Sequence, residues 1–372
     1  MGMRDGAVVF EDPRIAEYEA RIAALEARVS ALSHERPAAA TRPVFGFRPG
    51  WLERYAIIGV WIALIAAFAL IESQVSTRTA FFTWFNFRTM FGTQGVLVLL
   101  TFALLVPLTA GDFDLSVAAT MTLSALVATL LIIEQGMPTG LAVLAALLAG
   151  AAVGAINAFF ILYFRIHSLV VTLAMSTFIV GIAKWISASQ TVTLFASNAS
   201  RTLVALVNQT RLLGISMSFW IAVVLCIVMW WVLQRTTLGR RLLFVGRARD
   251  VARLAGIDTD RMRAGALVAS GVIAALAGVV AVGMTGSADA TTRLPMLLPA
   301  FAGAFLGATS IIPGRFNPIG SLIGVYLLAT GIAGLQIFGI PNFVQDLFWG
   351  GGLIVAVCAS QLVRRRQPME IG

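Results

Sequence analysis

The sequence predicts an all-α polytopic membrane protein with about ten transmembrane or partly re-entrant helices and a short helical arm ahead of them. Three observations carry this fold class. Only 12% of the 372 residues are charged and 59% are hydrophobic, against about 25% charged in a soluble domain. Apolar runs of about 20 residues, the length that crosses a bilayer core as a helix, recur along the chain. The arginines cluster in the polar stretches between alternate runs, as the positive-inside rule requires. Backbone groups in lipid must pair internally, which favours helices. A barrel would need alternating strands of about ten residues, and none can be read here.

Residues 1–50 read as a cytoplasmic N-terminal arm. Ile15, Tyr18, Ile22, Leu25, Val29 and Leu32 recur by three and four, with Glu17, Glu19, Arg21, Glu26 and Arg28 beside them, a heptad pattern. The arm is either a short coiled coil or a solvated helix lying on a neighbouring surface, since a single helix this short is marginal in water. Pro37, Pro43 and Pro49 mark a linker. The first apolar run begins near Tyr55 behind a polar stretch and is expected to serve as an uncleaved anchor rather than a signal peptide.

Residues 51–363 form the expected membrane domain, with spans near 55–71, 92–110, 115–133, 141–162, 168–188, 217–233, 264–284, 295–312, 318–335 and 343–361; residues 364–372 form a cytoplasmic tail. With the N-terminus inside, the cytoplasmic side receives Arg165, the 234–263 loop, Arg315 and Arg364 to Arg366. The outside receives only Arg78, Arg88, Arg201, Arg211 and Arg293. Lys184 falls near an outer span end, where its stem can snorkel. The external segments 72–91 and 190–214 read as amphipathic rather than spanning, with Phe81, Phe82, Trp84, Phe85 and Phe87 suited to the interface. The eighth run holds Pro295 and Pro299 and suggests a broken or re-entrant helix.

Three segments stand out. Gly111-Asp112-Phe113-Asp114-Leu115-Ser116-Val117 makes a turn between the second and third spans. Asp114 is placed to cap the following helix; Asp112 is free to pair with an arginine or with a partner protein. In the Arg-rich loop 237–257, residues 247–254 read as two helical turns with Val251 and Leu254 on one face and Asp250 and Arg253 beside them. Gly256 suits the left-handed position that ends a helix. Such a helix docks on a partner or lies on anionic lipid. In the third segment, Gly314, Asn317 and Pro318 give a tight turn, with Asn317 as cap and Pro318 at the first helical position. Gly320 and Gly324 offer a small-residue face for close helix packing. Gly111 to Asp114 and Gly314 to Asn317 resemble each other, through an internal repeat or through shared turn chemistry.

Over roughly residues 55–362 the chain resembles the permease subunit of ribose-type ABC importers for simple sugars, in the superfamily shared with branched-chain amino-acid permeases. The first segment is similar to the family's Gly-Gly-Ile-Asp-Leu-Ser-Val-Gly, with Asp112 and Ala118 departing from it. In the loop Gly239, Arg240, Val245, Gly246, Ala252, Arg253, Leu254, Gly256 and Ile257 match, while Ala248 replaces an asparagine; Val171-Thr172-Leu173-Ala174-Met175 is similar to a third family stretch. The resemblance implies an importer subunit for a monosaccharide in the bacterial inner membrane. The implied partners are a second permease copy or paralogue, a cytoplasmic ATP-binding subunit and an external solute-binding protein. Gly239, Arg240, Gly246, Asp250, Val251, Ala252, Arg253, Leu254, Gly256 and Ile257 would couple transport to the ATPase.

The chain has no GxxxxGK[ST] phosphate loop, so ATP and magnesium are expected on the partner, with no cofactor or metal here. His34 and His167, with acids confined to loops, assemble no acid/base set, and an enzyme is not expected. The net charge of +9 follows span topology, not nucleic-acid binding. Cys226 and Cys358 lie in apolar runs without disulfide or metal spacing. Polar residues inside spans are costly and mark candidate pathway positions: Gln94, Asn157, Thr172, Ser176 and Gln336 are singled out, with Thr101 and Thr177 beside them. The alternatives are a branched-chain amino-acid or nucleoside ABC permease and, in another class, an ion-coupled secondary transporter. The last usually holds an ionisable group near the bilayer midplane, whereas Asp112, Asp114, Lys184 and Asp346 fall toward span ends.

Overall fold

A computed structural model of the chain describes residues 17, 20–28, 50–75, 81–194, 202–341 and 343–366. It divides into two units, Met1–Pro49 and Gly50–Gly372. In the first, residues 20–28 are helical, with Ile22 and Leu25 both exposed. The other heptad positions Ile15, Tyr18, Val29 and Leu32, the linker prolines and His34 lie outside the described residues, as do Arg78 and Arg201.

The second unit is a helix bundle. Its elements in order are α1 (Gly50–Val75), α2 (Trp84–Thr109), α3 (Val117–Ile133), α4 (Thr139–Tyr163), α5 (Ser168–Ile186), α6 (Met217–Arg235), α7 (Thr237–Arg247), α8 (Arg249–Leu254), α9 (Thr259–Thr285), α10 (Leu297–Gly307), α11 (Pro318–Ile337) and α12 (Phe343–Arg366). Among the described residues, seven helices are long and apolar enough to cross a membrane, and three shorter apolar helices accompany them. These ten match the ten runs of the sequence. The largest boundary difference is at α2, which begins at Trp84, so 84–91 extends the second span instead of lying beside it. Thr83 Oγ1 accepts from Asn86 N at 3.2 Å and starts the helix there. The expected break in the eighth run is present. A 3-10 turn at Leu294–Met296 precedes α10, which has 11 residues and rises about 16 Å, well short of the bilayer core of about 30 Å.

Of the seven long helices α2, α9 and α11 are buried, as is the shorter α3, whereas α1, α4, α5 and α6 turn most of their surface outward. An apolar exterior is what lipid requires; the interior is assembled by close backbone approach. A Cβ on Gly150 or Gly154 of α4 would collide with the backbone of Gly271 or Leu267 on α9. Gly320 packs on the Gly307 carbonyl and Gly324 on that of Gly303, so the small-residue face of α11 receives α10 as the sequence suggests.

The connections gather on two faces. One, the basic face, carries the 110–116 turn, the 164–167 turn, α7 with α8, and the 308–317 turn. The opposite face carries two short strand pairs. Strand β1 (Val192–Thr193) pairs with β4 (Ser287–Ala288), and β2 (Arg211–Leu212) pairs with β3 (Ile215–Ser216). Leu213 at φ 54° and Gly214 at φ 78° turn that hairpin, with both central residues at the positive φ of a primed turn.

Candidate functional site

The basic face is organised by α7 and α8. Thr236 Oγ1 caps α7 by accepting from Gly239 N at 3.3 Å. Gly239, Leu242 and Val245 are buried while the arginines between them face out. The backbone breaks at Ala248, at φ −148° and ψ 78°. Helix therefore begins ten residues earlier than the expected 247–254 segment, and an elbow divides it. Beside the inner stripe of Gly239, Leu242 and Val245, the first half also exposes Leu238 and Phe244, and the expected segment left it out.

In α8 only Ala252 is buried. Val251 is 53% exposed and Leu254 88% exposed. Gly256, at φ 79°, ends the helix; its N–H donates to Arg253 O and that of Ile257 donates to Ala252 O, both at 3.0 Å. Asp258 Oδ1 then accepts from Arg261 N at 3.0 Å and opens α9.

Two contacts lie at this elbow, one holding it to the bundle and one bracing the turn beside it. The first is steric. Gly246 lies against the carbonyl of Thr109, so close that a Cβ would overlap it, and Gly111, at φ 81°, faces Gly246 from the other side. The second is ionic. Arg263 of α9 donates from Nε and a terminal nitrogen to the two oxygens of Asp112, each at 2.7 Å. Both side chains are buried, at 10% and 4% exposure, and Arg249 of α8 approaches the same carboxylate at 3.7 Å. Bidentate arginine–carboxylate pairs are among the strong charge-assisted contacts. Asp112 thus takes an arginine partner, one of the two fates open to it in the sequence.

Asp114 does not cap α3 in the expected way. Ser116 occupies the N-cap position without a side-chain cap. Asp114 Oδ1 instead accepts from Ser116 N at 3.0 Å and Ser116 Oγ at 2.6 Å, and Oδ2 accepts from Ser270 Oγ at 2.8 Å. Asn157 Nδ2 donates to Ser116 Oγ at 2.8 Å. Next to this, Thr172 Oγ1 accepts from Leu115 N at 3.1 Å and Ser168 Oγ from Phe113 N at 3.2 Å. One short turn therefore joins α3, α4, α5 and α9. Burial pushes the Asp114 carboxyl above its ordinary range, against the hydrogen bonds from Ser116 and Ser270. Sequence reasoning missed Ser270 and the Arg263 pairing. A serine inside the apolar run 264–284 was the available signal.

The pathway candidates do not converge. Asn157 and Thr172 are engaged around the 113–116 turn. Gln336 donates to Gln345 at 3.3 Å beside a void of about 10 Å³. Gln94 and Ser176 are half-buried on α2 and α5. The large cavity, about 630 Å³, opens at the basic face and is lined by Phe113, Phe301, Phe305, Phe316, Arg247 and Arg315 among others, with none of the five in its walls. Both resembling turns end there: Gly111 and Gly314 share φ near 80°, and Phe113 and Phe316 pack on Phe301 and Phe305 at ring distances of 6.4 and 5.4 Å. Asn317 caps α11, accepting from Gly320 N at 2.6 Å, as its sequence position requires.

Residues 86–357 match the family model described as branched-chain amino acid transport system / permease component. The L-arabinose ABC transporter permease protein of Azospirillum brasilense is 29% identical over 90% of this chain and 96% of its own length. The D-allose transport system permease protein of Escherichia coli is 26% identical over 88% and 97%. The autoinducer 2 import system permease protein of Escherichia coli is 30% identical over 70% and 79%. No solved structure matches the chain.

Proposed function

The chain belongs to the branched-chain amino acid transport system / permease component family, and from that membership we propose that it is the membrane-spanning permease subunit of an ATP-driven importer for a monosaccharide. It performs no chemistry of its own. ATP and magnesium belong to a cytoplasmic ATPase partner, an external solute-binding protein delivers the sugar, and a second copy or paralogue completes the path in a bacterial inner membrane. Residues 51–363 supply the membrane domain, 1–50 a cytoplasmic arm and 364–372 a tail. The names of the arabinose, allose and autoinducer 2 relatives support import of a small hydrophilic solute.

One observation carries the coupling role. Leu254, 88% exposed, projects from a helix held to the bundle through the Gly246 elbow and through Arg249, 3.7 Å from Asp112. A rigidly anchored helix with a bare apolar face suits a groove on a partner. Docking there would transmit ATPase motion into α9 and the α2–α3 turn. Of the pathway candidates, Asn157 and Thr172 serve the 113–116 turn, which leaves the outward face of α5, with Ser176, as the side along which a second copy would close a path.

The test is copurification of this chain with its ATPase, followed by uptake in proteoliposomes. Leu254→Asp should cut ATPase association at least tenfold and abolish uptake of radiolabelled pentose or hexose, with unchanged membrane insertion. Uptake by the variant at the wild-type rate would remove α8 from the coupling role. The family's printed description favours a second reading, in which the substrate is a branched-chain amino acid. Uptake of labelled leucine with none of any sugar would select it.

A further inference from the structure

We infer that the basic face holds a binding site for the phosphate of an anionic phospholipid, in the cavity between the α4–α5 turn and α8 with α9. The cavity measures about 410 Å³ and is walled by Arg165, His167, Arg249, Arg253 and Arg263, with Asp112 and Asp260 as its carboxylates. That volume is in the range of small-molecule sites.

The charges do not cancel. Arg263 is consumed by Asp112, and Arg253 reaches Asp260 at 3.6 Å. Arg249 has only the outlying contact with Asp112 at 3.7 Å, whose oxygens Arg263 already occupies. Arg165 makes no hydrogen bond or ion pair among the described residues and sits at φ 55°, a conformation uncommon for a non-glycine residue. Two guanidinium groups are thus left to an anion that the chain does not supply.

The surroundings select a lipid. Immediately before Arg165, the last turns of α4 carry Phe159, Phe160, Tyr163 and Phe164 in one stacked cluster, each between 38% and 72% exposed. Aromatic side chains at the end of an apolar helix lie at headgroup depth. Basic pockets between spans at that depth bind anionic headgroups. A free phosphate would use the arginines but leave the aromatic cluster bare; a phospholipid covers both. The inference needs only a membrane around the bundle and holds whichever solute is carried.

The experiment uses the purified full chain in detergent without its ATPase. Dioleoyl phosphatidylglycerol, dioleoyl phosphatidylcholine and inorganic phosphate are titrated separately, with thermal unfolding and native mass spectrometry as readouts. Phosphatidylglycerol should raise the unfolding temperature and remain bound at about one per chain, phosphatidylcholine should not, and phosphate alone should do so weakly. Removing one basic group near an anionic headgroup should weaken binding about fivefold. Arg165→Gln and Arg165→Gly should both show that loss; the glycine variant also relaxes the left-handed backbone, so misfolding cannot account for it. Equal retention of the two lipids, or full phosphatidylglycerol affinity in both variants, would overturn the site. Phosphate matching the lipid would overturn the choice of lipid.

Discussion

At the residue scale, the two carboxylates of one turn do different work, and burial decides which. Asp112 is spent on Arg263, with both side chains out of solvent. Removing one member of a buried pair strands the other charge, at about 3–5 kcal/mol, whereas replacing both by apolar groups is often neutral. Asp112→Ala should therefore destabilise strongly, Asp112→Leu with Arg263→Met should recover most of the loss, and Arg249→Gln should cost less than about 1 kcal/mol because that arginine is 40% exposed. Denaturation of wild type, these three variants and Arg263→Met alone in one detergent decides this; equal losses from Arg249→Gln and Arg263→Met would refute the ranking. Asp114 accepts three hydrogen bonds yet is held above its ordinary pKa by burial. A carboxyl raised on folding contributes stability that is fully present below its unfolded value and lost as pH rises through its folded value. Asp114→Asn, which cannot ionise, should match wild type in acid and exceed it at higher pH. Asp114→Ala should lose about 1–3 kcal/mol throughout, because Ser116 and Ser270 lose their acceptor. Identical pH profiles for wild type and Asp114→Asn would contradict the assignment.

At the element scale, α7 and α8 form a bent pair, the proposed lever, whose elbow rests on α2. The elbow depends on Gly246, because any side chain there would enter the Thr109 carbonyl. Gly246→Val should push the lever off the bundle while leaving Leu254 exposed. ATPase association should then persist with uptake falling at least tenfold, the opposite pattern from Leu254→Asp. Loss of association in Gly246→Val would mean that the elbow sets the docking face and not only its coupling. The sequence made the outer half of this element legible, since Val251, Leu254 and Gly256 carry helical spacing and a left-handed stop. The inner half went unread although α7 buries Gly239, Leu242 and Val245 at helical spacing while Arg240 and Arg241 face out. The ten helices were legible for a simpler reason: lipid demands long apolar runs. The polar clusters inside them were not. Ser270 and Asn157 lie 156 and 41 residues from the groups they contact, and spacing along a chain carries no sign of such meetings.

At the scale of the whole molecule, ten apolar helices put every connection on one of two faces, and the charges differ sharply between them. The basic face gathers Arg54, Arg165, Arg235, Arg240, Arg241, Arg247, Arg249, Arg253, Arg261, Arg263 and Arg315. The opposite face has, among the described residues, Arg88, Lys184, Arg211 and Arg293. Of these, Arg293 is buried and donates to Thr285 and Ser287, and Arg88 lies over the Phe85 ring at 4.9 Å. Arginine-rich loops stay in the cytoplasm, and on that ground we propose that α8 faces the ATPase and the β2–β3 hairpin faces the delivered solute. The orientation is open to direct measurement. With Cys226 and Cys358 replaced by alanine, single cysteines at Leu254 and Leu212, 88% and 53% exposed, report the two faces. A membrane-impermeant maleimide on intact cells should label Leu212→Cys and leave Leu254→Cys unlabelled until the cells are opened. The reverse pattern would invert the molecule and remove α8 from any cytoplasmic partner. Labelling of both from outside would mean that the two positions share a side, which the single span α6 between them does not allow.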